Sequence, residues 1–194
     1  TENSALSALA ELNIELPWAF DESVCQTRCV TNLYAASLLM VGIIAEDTVL
    51  LDSVSDAIQT GAEFMRSNRE GLEKLAQEDW NYAVVLADGE LCGIAEEGAL
   101  AFNEISMLHS HYYHLLDVRH GPIVLFNRQT LVIMALTQGN QELQKKLISD
   151  IRQKGAKVVL FGSDEEDIPE ADLQIRVKAQ EARAAEGIPY IFIS

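Results

Sequence analysis

Four histidines, His109, His111, His114 and His120, fall within twelve residues of one another, and Glu104 and Asp117 stand beside them. Imidazoles and carboxylates at that density have three uses. In a turn joining a helix to a strand they simply make backbone hydrogen bonds. As metal ligands, His109 and His111 would share one side of an extended chain with carboxylates nearby. No His-Glu-x-x-His or equally diagnostic spacing is present, so no metal is expected at the cluster. The third use pairs Glu104 with His120. Shifting a proton between adjacent sugar carbons through an enediol needs a carboxylate over the sugar face and a second group to open the ring. A glutamate at a helix end with a histidine in the following turn supplies both types, although the spacing alone does not choose among the three uses.

The elements that would carry these residues follow from hydrophobic patterning. Tyr82–Leu86, Leu131–Leu136 and Lys157–Phe161 are short, continuous apolar runs separated by helical periodicity over 96–107 and 140–154. Runs of that kind are strands buried on both faces, so the spacing predicts an α/β fold with a doubly wound parallel sheet. Gly155 is the expected stop of the second of these helices. A ligand is expected at the carboxyl ends of the strands, near residues 87–93, 114–122 and 136–140.

Upstream, Asp21 or Ser23 is positioned to cap a helix reaching about residue 44, and Asp47 or Thr48 to cap a second. The second carries Leu51, Val54, Ile58, Ala62 and Met65 on one stripe, so the pair reads as a helical hairpin. Residues 4–10 suggest a short helix, Leu12–Leu16 a terminal strand before Pro17, and Ile188–Ser194 has strand-like composition.

Composition narrows the partners. Thirty acidic against fourteen basic side chains give a net charge of −16 over 194 residues, which repels polyphosphate backbones and anionic head groups. Neither nucleic acid nor a membrane is expected. A small anion remains compatible, since a few N–H groups can hold one inside an acidic protein. Three cysteines, an odd number, argue against a disulfide framework and for a reducing cytoplasm. The apolar stretch Leu33–Ala45 falls short of the ~20 residues that span a bilayer and reads as a buried helix.

The stretch from Val85 to Ser106, with Glu96-Glu-Gly-Ala-Leu-Ala-Phe-Asn-Glu104 at its centre, and the turn Arg119-His-Gly-Pro122 resemble the second lobe of sugar-isomerase (SIS) domain proteins. The group includes tagatose-6-phosphate ketose/aldose isomerase-like proteins, the isomerase domain of glutamine:fructose-6-phosphate amidotransferase and fructosamine-6-phosphate deglycases. Glu22–Thr31 is similar to the helix start that follows the family's first lobe, so the likeness spans nearly the whole chain.

That resemblance implies residues 1–20 as the tail of a preceding lobe, 21–79 as the hairpin linking the lobes, and 80–194 as a second lobe cut short at its C-terminus. It implies Glu104 as the proton-abstracting base and His120 as the ring-opening histidine, which in some members reaches the neighbouring subunit's site. Glu97, Val24 and Gln26 match substrate-binding positions. It further implies a phosphosugar aldose-ketose isomerase, simple or deaminating, with a fructosamine-6-phosphate-type deglycase or a noncatalytic phosphosugar-binding regulator as alternatives, no cofactor, and a homodimer. Two positions depart from the pattern: Asp88 replaces an arginine and Ala101 a lysine, each removing positive charge. The family's phosphate loop, Ser-x-Ser-Gly-x-Thr, is absent from these residues.

Overall fold

The computed structural model describes residues 4–163 and 167–190. Five strands form one all-parallel sheet in the order β2-β1-β3-β4-β5. They are β1 (Tyr82–Leu86), β2 (Ser110–Tyr113), β3 (Thr130–Ala135), β4 (Lys157–Gly162) and β5 (Leu173–Arg176). The helices are α1 (Arg28–Ala45), α2 (Thr48–Ala76), α3 (Cys92–Glu104), α4 (Gln141–Gln153) and the short α5 (Gly187–Tyr190).

Every residue of β1 and β3 is buried, as the continuous apolar runs required. Alternate side chains serve two cores. Val85, Leu131, Ile133, Val159 and Phe161 face a layer containing α2, α3 and α5. Val84, Leu86, Val132, Met134, Val158 and Leu160 face α4 and the segment around Leu115–Phe126. This is the doubly wound arrangement expected from the sequence.

The helical hairpin also forms. Asp47 caps α2, its Oδ1 accepting the Leu50 N–H at 3.0 Å. The two helices approach closely beside their connection, where a Cβ at Gly42 of α1 would stand 2.8 Å from Leu51 Cδ2 of α2. Gly155 closes α4 in the left-handed region with φ 87.

Five expectations are corrected. Residues 5–9 form turns rather than the helix expected over 4–10. Leu12–Leu16 forms no strand: among the described residues it joins no strand ladder, and Leu12 and Ile14 are exposed. Residues 188–190 are helical, because Tyr190 turns inward and is fully buried against Phe161; residues 191–194 lie outside the described ones. The helix expected at 96–107 begins earlier and ends at Glu104, since the Gly89–Leu91 turn leads straight into it.

Finally, α1 is not a buried helix. It starts at Arg28, has 18 residues of mean hydropathy 1.5, and by length and composition alone is long enough to cross a membrane. One face, with Tyr34, Ala35, Leu38 and Leu39, packs beside Leu50, Val54 and Ala57 of α2. The other, with Leu33, Met40, Ile43 and Ile44, is exposed.

Candidate functional site

A helix that connects two parallel strands must run back against them. α3 leaves the carboxyl end of β1, so its last residue, Glu104, emerges at the opposite edge, where β2 begins. Asn103 fixes that junction: its amide donates to the Ser110 carbonyl and accepts the Ser110 N–H, both at 3.1 Å. Glu104 therefore does not lie at the carboxyl ends of the strands, where a ligand was expected. It is exposed.

The segment before α1 comes to meet it. The Cys25 thiol donates to the Glu104 carbonyl at 3.4 Å, which sets Val24 and Gln26 on either side of that contact. Asp21 shapes this segment by accepting the Thr27 N–H at 2.8 Å and the Cys29 N–H at 3.1 Å. Those bonds, Thr27's first, hold the Asp21 carboxyl below its ordinary range. Val24 is 99% exposed, and the Gln26 side chain accepts from the Cys29 thiol. Glu97 is partly buried seven residues before Glu104 on α3. That spacing puts both carboxylates on nearly the same side of the helix, about 10 Å apart along its axis.

His120 is elsewhere. It ends the short turn Asp117–His120, whose Val118 is buried in the core on the α4 side of the sheet. Arg119 anchors the turn by an ion pair of 2.6 Å with Asp150 of α4. α3 packs on the other side. Within one chain the sheet therefore separates the His120 turn from the helix that carries Glu104. Gly121, with φ 157 and ψ −61, occupies backbone space that side chains disfavour, which accounts for the glycine in the Arg-His-Gly-Pro turn.

Of the remaining histidines, His111 lies in strand β2, with His109 just before it and His114 just after it. Tyr82 stacks on His109 and meets His111, its hydroxyl 3.3 Å from His111 Nδ1. His114 instead pairs with Asp88 at 2.9 Å. β2 escaped the sequence reading because Ser110-His-Tyr-Tyr113 is an edge strand with no apolar run. At the carboxyl end of β3, the buried Gln144 side chain bonds Thr137 N and Oγ1 at 2.9 and 2.8 Å and so orders the loop after the strand. The Arg183 guanidinium beside it donates to the Leu136 carbonyl.

The sequence profile described as "SIS domain" matches residues 78–190, more than half of the chain. A glutamine–fructose-6-phosphate aminotransferase (isomerizing) of Yersinia pseudotuberculosis is 30% identical over 154 residues, covering 73% of this chain and 25% of that protein. The chain thus spans about a quarter of the length of the curated relatives it matches. Among solved structures, glucosamine-6-phosphate deaminase of Thermotoga maritima superposes with a TM-score of 0.81 at 24% identity, covering 99% of this chain and 57% of that one. Tagatose-6-phosphate ketose/aldose isomerase of Escherichia coli gives 0.68 at 20% identity, over 89% of this chain and 50% of that one. At these identities the structural likenesses speak for the fold.

Proposed function

The chain belongs to the SIS domain family, and from that premise we propose that it serves aldose-ketose isomerisation of a phosphorylated sugar or amino sugar in the cytoplasm. Glu104 is the base. It takes the proton from the carbon next to the carbonyl and returns it to the adjacent carbon, while the hydroxyl proton passes between the two oxygens of the enediol. His120 protonates the ring oxygen as the ring opens. Glu97, Val24 and Gln26 line the sugar. No cofactor enters this reaction.

The observation that supports the proposal is the meeting of two distant segments: the Cys25 thiol reaches the Glu104 backbone carbonyl, which brings the segment that holds Val24 and Gln26 to the end of α3. Because the Asp117–His120 turn packs on the other side of the sheet, His120 acts on the Glu104 site of a second copy, and the working unit is a homodimer. Relatives named as isomerising aminotransferases and neighbours named as an isomerase and a deaminase are consistent with that chemistry.

The test mixes two inactive variants of the complete protein, Glu104→Gln and His120→Ala, after subunit exchange. A mixed dimer retains one site with both groups intact, so isomerase activity on fructose-6-phosphate or glucosamine-6-phosphate returns. If each variant is inactive and the mixture stays inactive with exchange confirmed, the shared site is wrong. Full activity in Glu104→Gln alone removes the base assignment.

A further inference from the structure

We propose that Asp88, Cys92 and His114 bind a divalent transition-metal ion, Zn²⁺ by ligand type, at the carboxyl edge of β1 and β2. The fold brings the three together from separate places. Parallel pairing of Leu86 with Tyr113 sets the chain after β1 beside the chain after β2, and so Asp88 beside His114. Cys92 is the first residue of α3, one turn beyond Asp88. Asp88 Oδ1 lies 2.9 Å and Cys92 Sγ 3.8 Å from His114 Nδ1, and all three donor atoms fall within 4.8 Å of one another. Among the described residues this is the one such grouping of histidine, cysteine and carboxylate donors; His109, His111 and His120 stand outside it.

The geometry separates a metal from the obvious rival. A histidine relaying a proton from a thiol to a carboxylate uses one ring nitrogen for each. Here both approach the same nitrogen, Nδ1, so the donors converge on a point rather than line up in a chain. A tetrahedral ion with bonds of about 2.0–2.3 Å sets its donors roughly 3.3–3.6 Å apart, a small adjustment for three side chains that are each partly exposed. A mixed sulfur, nitrogen and oxygen set suits Zn²⁺ over Mg²⁺ or Ca²⁺. Three protein ligands leave a fourth position open, and the Tyr112 hydroxyl also lies 3.2 Å from His114 Nδ1. Glu90 and Glu96 flank the cluster in sequence and favour a cation.

The site is separate from the proposed base, since α3 sets Cys92 and Glu104 about 18 Å apart along its axis. It also departs from the metal-free expectation, which rested on missing short-range spacing; these ligands come from positions 22 and 26 residues apart.

Titrating Co²⁺ into the reduced, chelator-stripped full chain tests this through optical spectra that owe nothing to catalysis. The expected result is one equivalent bound, with a thiolate-to-cobalt charge-transfer band in the near ultraviolet that Zn²⁺ abolishes. Binding weakens as pH falls, because the thiol must release its proton to bind. Cys92→Ala and Cys92→Ser each lose the band while circular dichroism is unchanged, and His114→Ala weakens binding by about tenfold or more. The Cys25→Ala/Cys29→Ala double variant keeps the band. Absence of the band in the parent chain, its survival in either Cys92 variant, or its loss in the Cys25/Cys29 variant overturns the site.

Discussion

The Cys25 thiol lies 3.4 Å from the carbonyl oxygen of Glu104 and ties the start of the helical hairpin to the end of α3 across 79 residues of sequence. The contact uses the backbone of Glu104 and leaves its carboxylate free to face outward. Glu104→Gln in the complete protein is therefore expected to fold with an unchanged thermal midpoint, since the amide keeps the shape. Turnover should fall about 10²- to 10⁴-fold, the usual loss when a general base is removed. Parallel melting curves and isomerase assays read both, and a variant that is inactive only because it is unfolded would show itself in the melt.

A second expectation concerns the scaffold. α2 is 29 residues long, and its first-turn N–H of Leu50 is satisfied by the Asp47 side chain. Asp47→Ala leaves that donor to water and should lower stability by about 0.5–2 kcal/mol, with Asp47→Asn retaining most of the lost amount. Denaturant titration at neutral pH decides it. Equal midpoints for parent and Asp47→Ala would mean that tertiary packing of the hairpin, not the cap, fixes this helix start.

These two residues also mark where the sequence was legible. Asp47 was readable because a cap and the stripe behind it are local signals, as were the buried strands β1, β3 and β4, whose apolar runs need no partner to be recognised. β2 and β5 are the edges of the sheet. An edge strand buries little, so Ser110–Tyr113 and Leu173–Arg176 carry no continuous apolar pattern. Missing β2 hid the consequence of its pairing, which is that His114 meets Asp88 and Cys92. Likewise the ligand was expected at the carboxyl edge of the sheet, whereas the connection from β1 through α3 obliges the end of that helix, and Glu104 with it, to lie at the other edge. The exposed face of α1 was unreadable for a different reason: hydropathy reports that a helix is apolar, not which of its faces finds a neighbour.

Stability depends on pH through Glu186. This side chain is buried, with 3% of its surface exposed, and that burial raises its carboxyl above the ordinary value of 4.5. The Gln180 N–H it accepts at 3.2 Å and the nearby Arg183 oppose the rise without cancelling it. A raised folded-state value means that the native protein holds this proton more tightly than the unfolded chain. Stability from this group is thus fully present below 4.5 and is lost as pH climbs through the folded-state value. Glu186→Gln keeps an acceptor for Gln180 and has no charge to bury. It should melt higher than the parent at pH 7, with the advantage shrinking steadily as pH drops toward 4.5. A difference that stays constant over the range, or grows in acid, would contradict the burial argument.

The last expectation bears on these 194 residues by themselves. Binding energy from the nonreacting phosphate of a sugar phosphate positions the reacting carbons over the base, so its loss lowers both affinity and rate. Within this chain no Ser-x-Ser-Gly-x-Thr loop is present, and the loop after β1, where Gly89 turns with φ 66, carries Asp88 and Glu90 instead of cations. Two carboxylates there repel a phosphate dianion. The chain should nevertheless fold, because both sheet faces are covered by its own helices and by the segment around Leu115–Phe126. Calorimetry with fructose-6-phosphate and glucosamine-6-phosphate should show no micromolar binding. The measurement is made with chelator present, so that a metal held by Asp88, Cys92 and His114 does not itself attract the phosphate. Micromolar affinity under those conditions would mean that these residues contain a phosphate site of their own, and the ordered loop after β3 at Thr137 would be the first place to mutate.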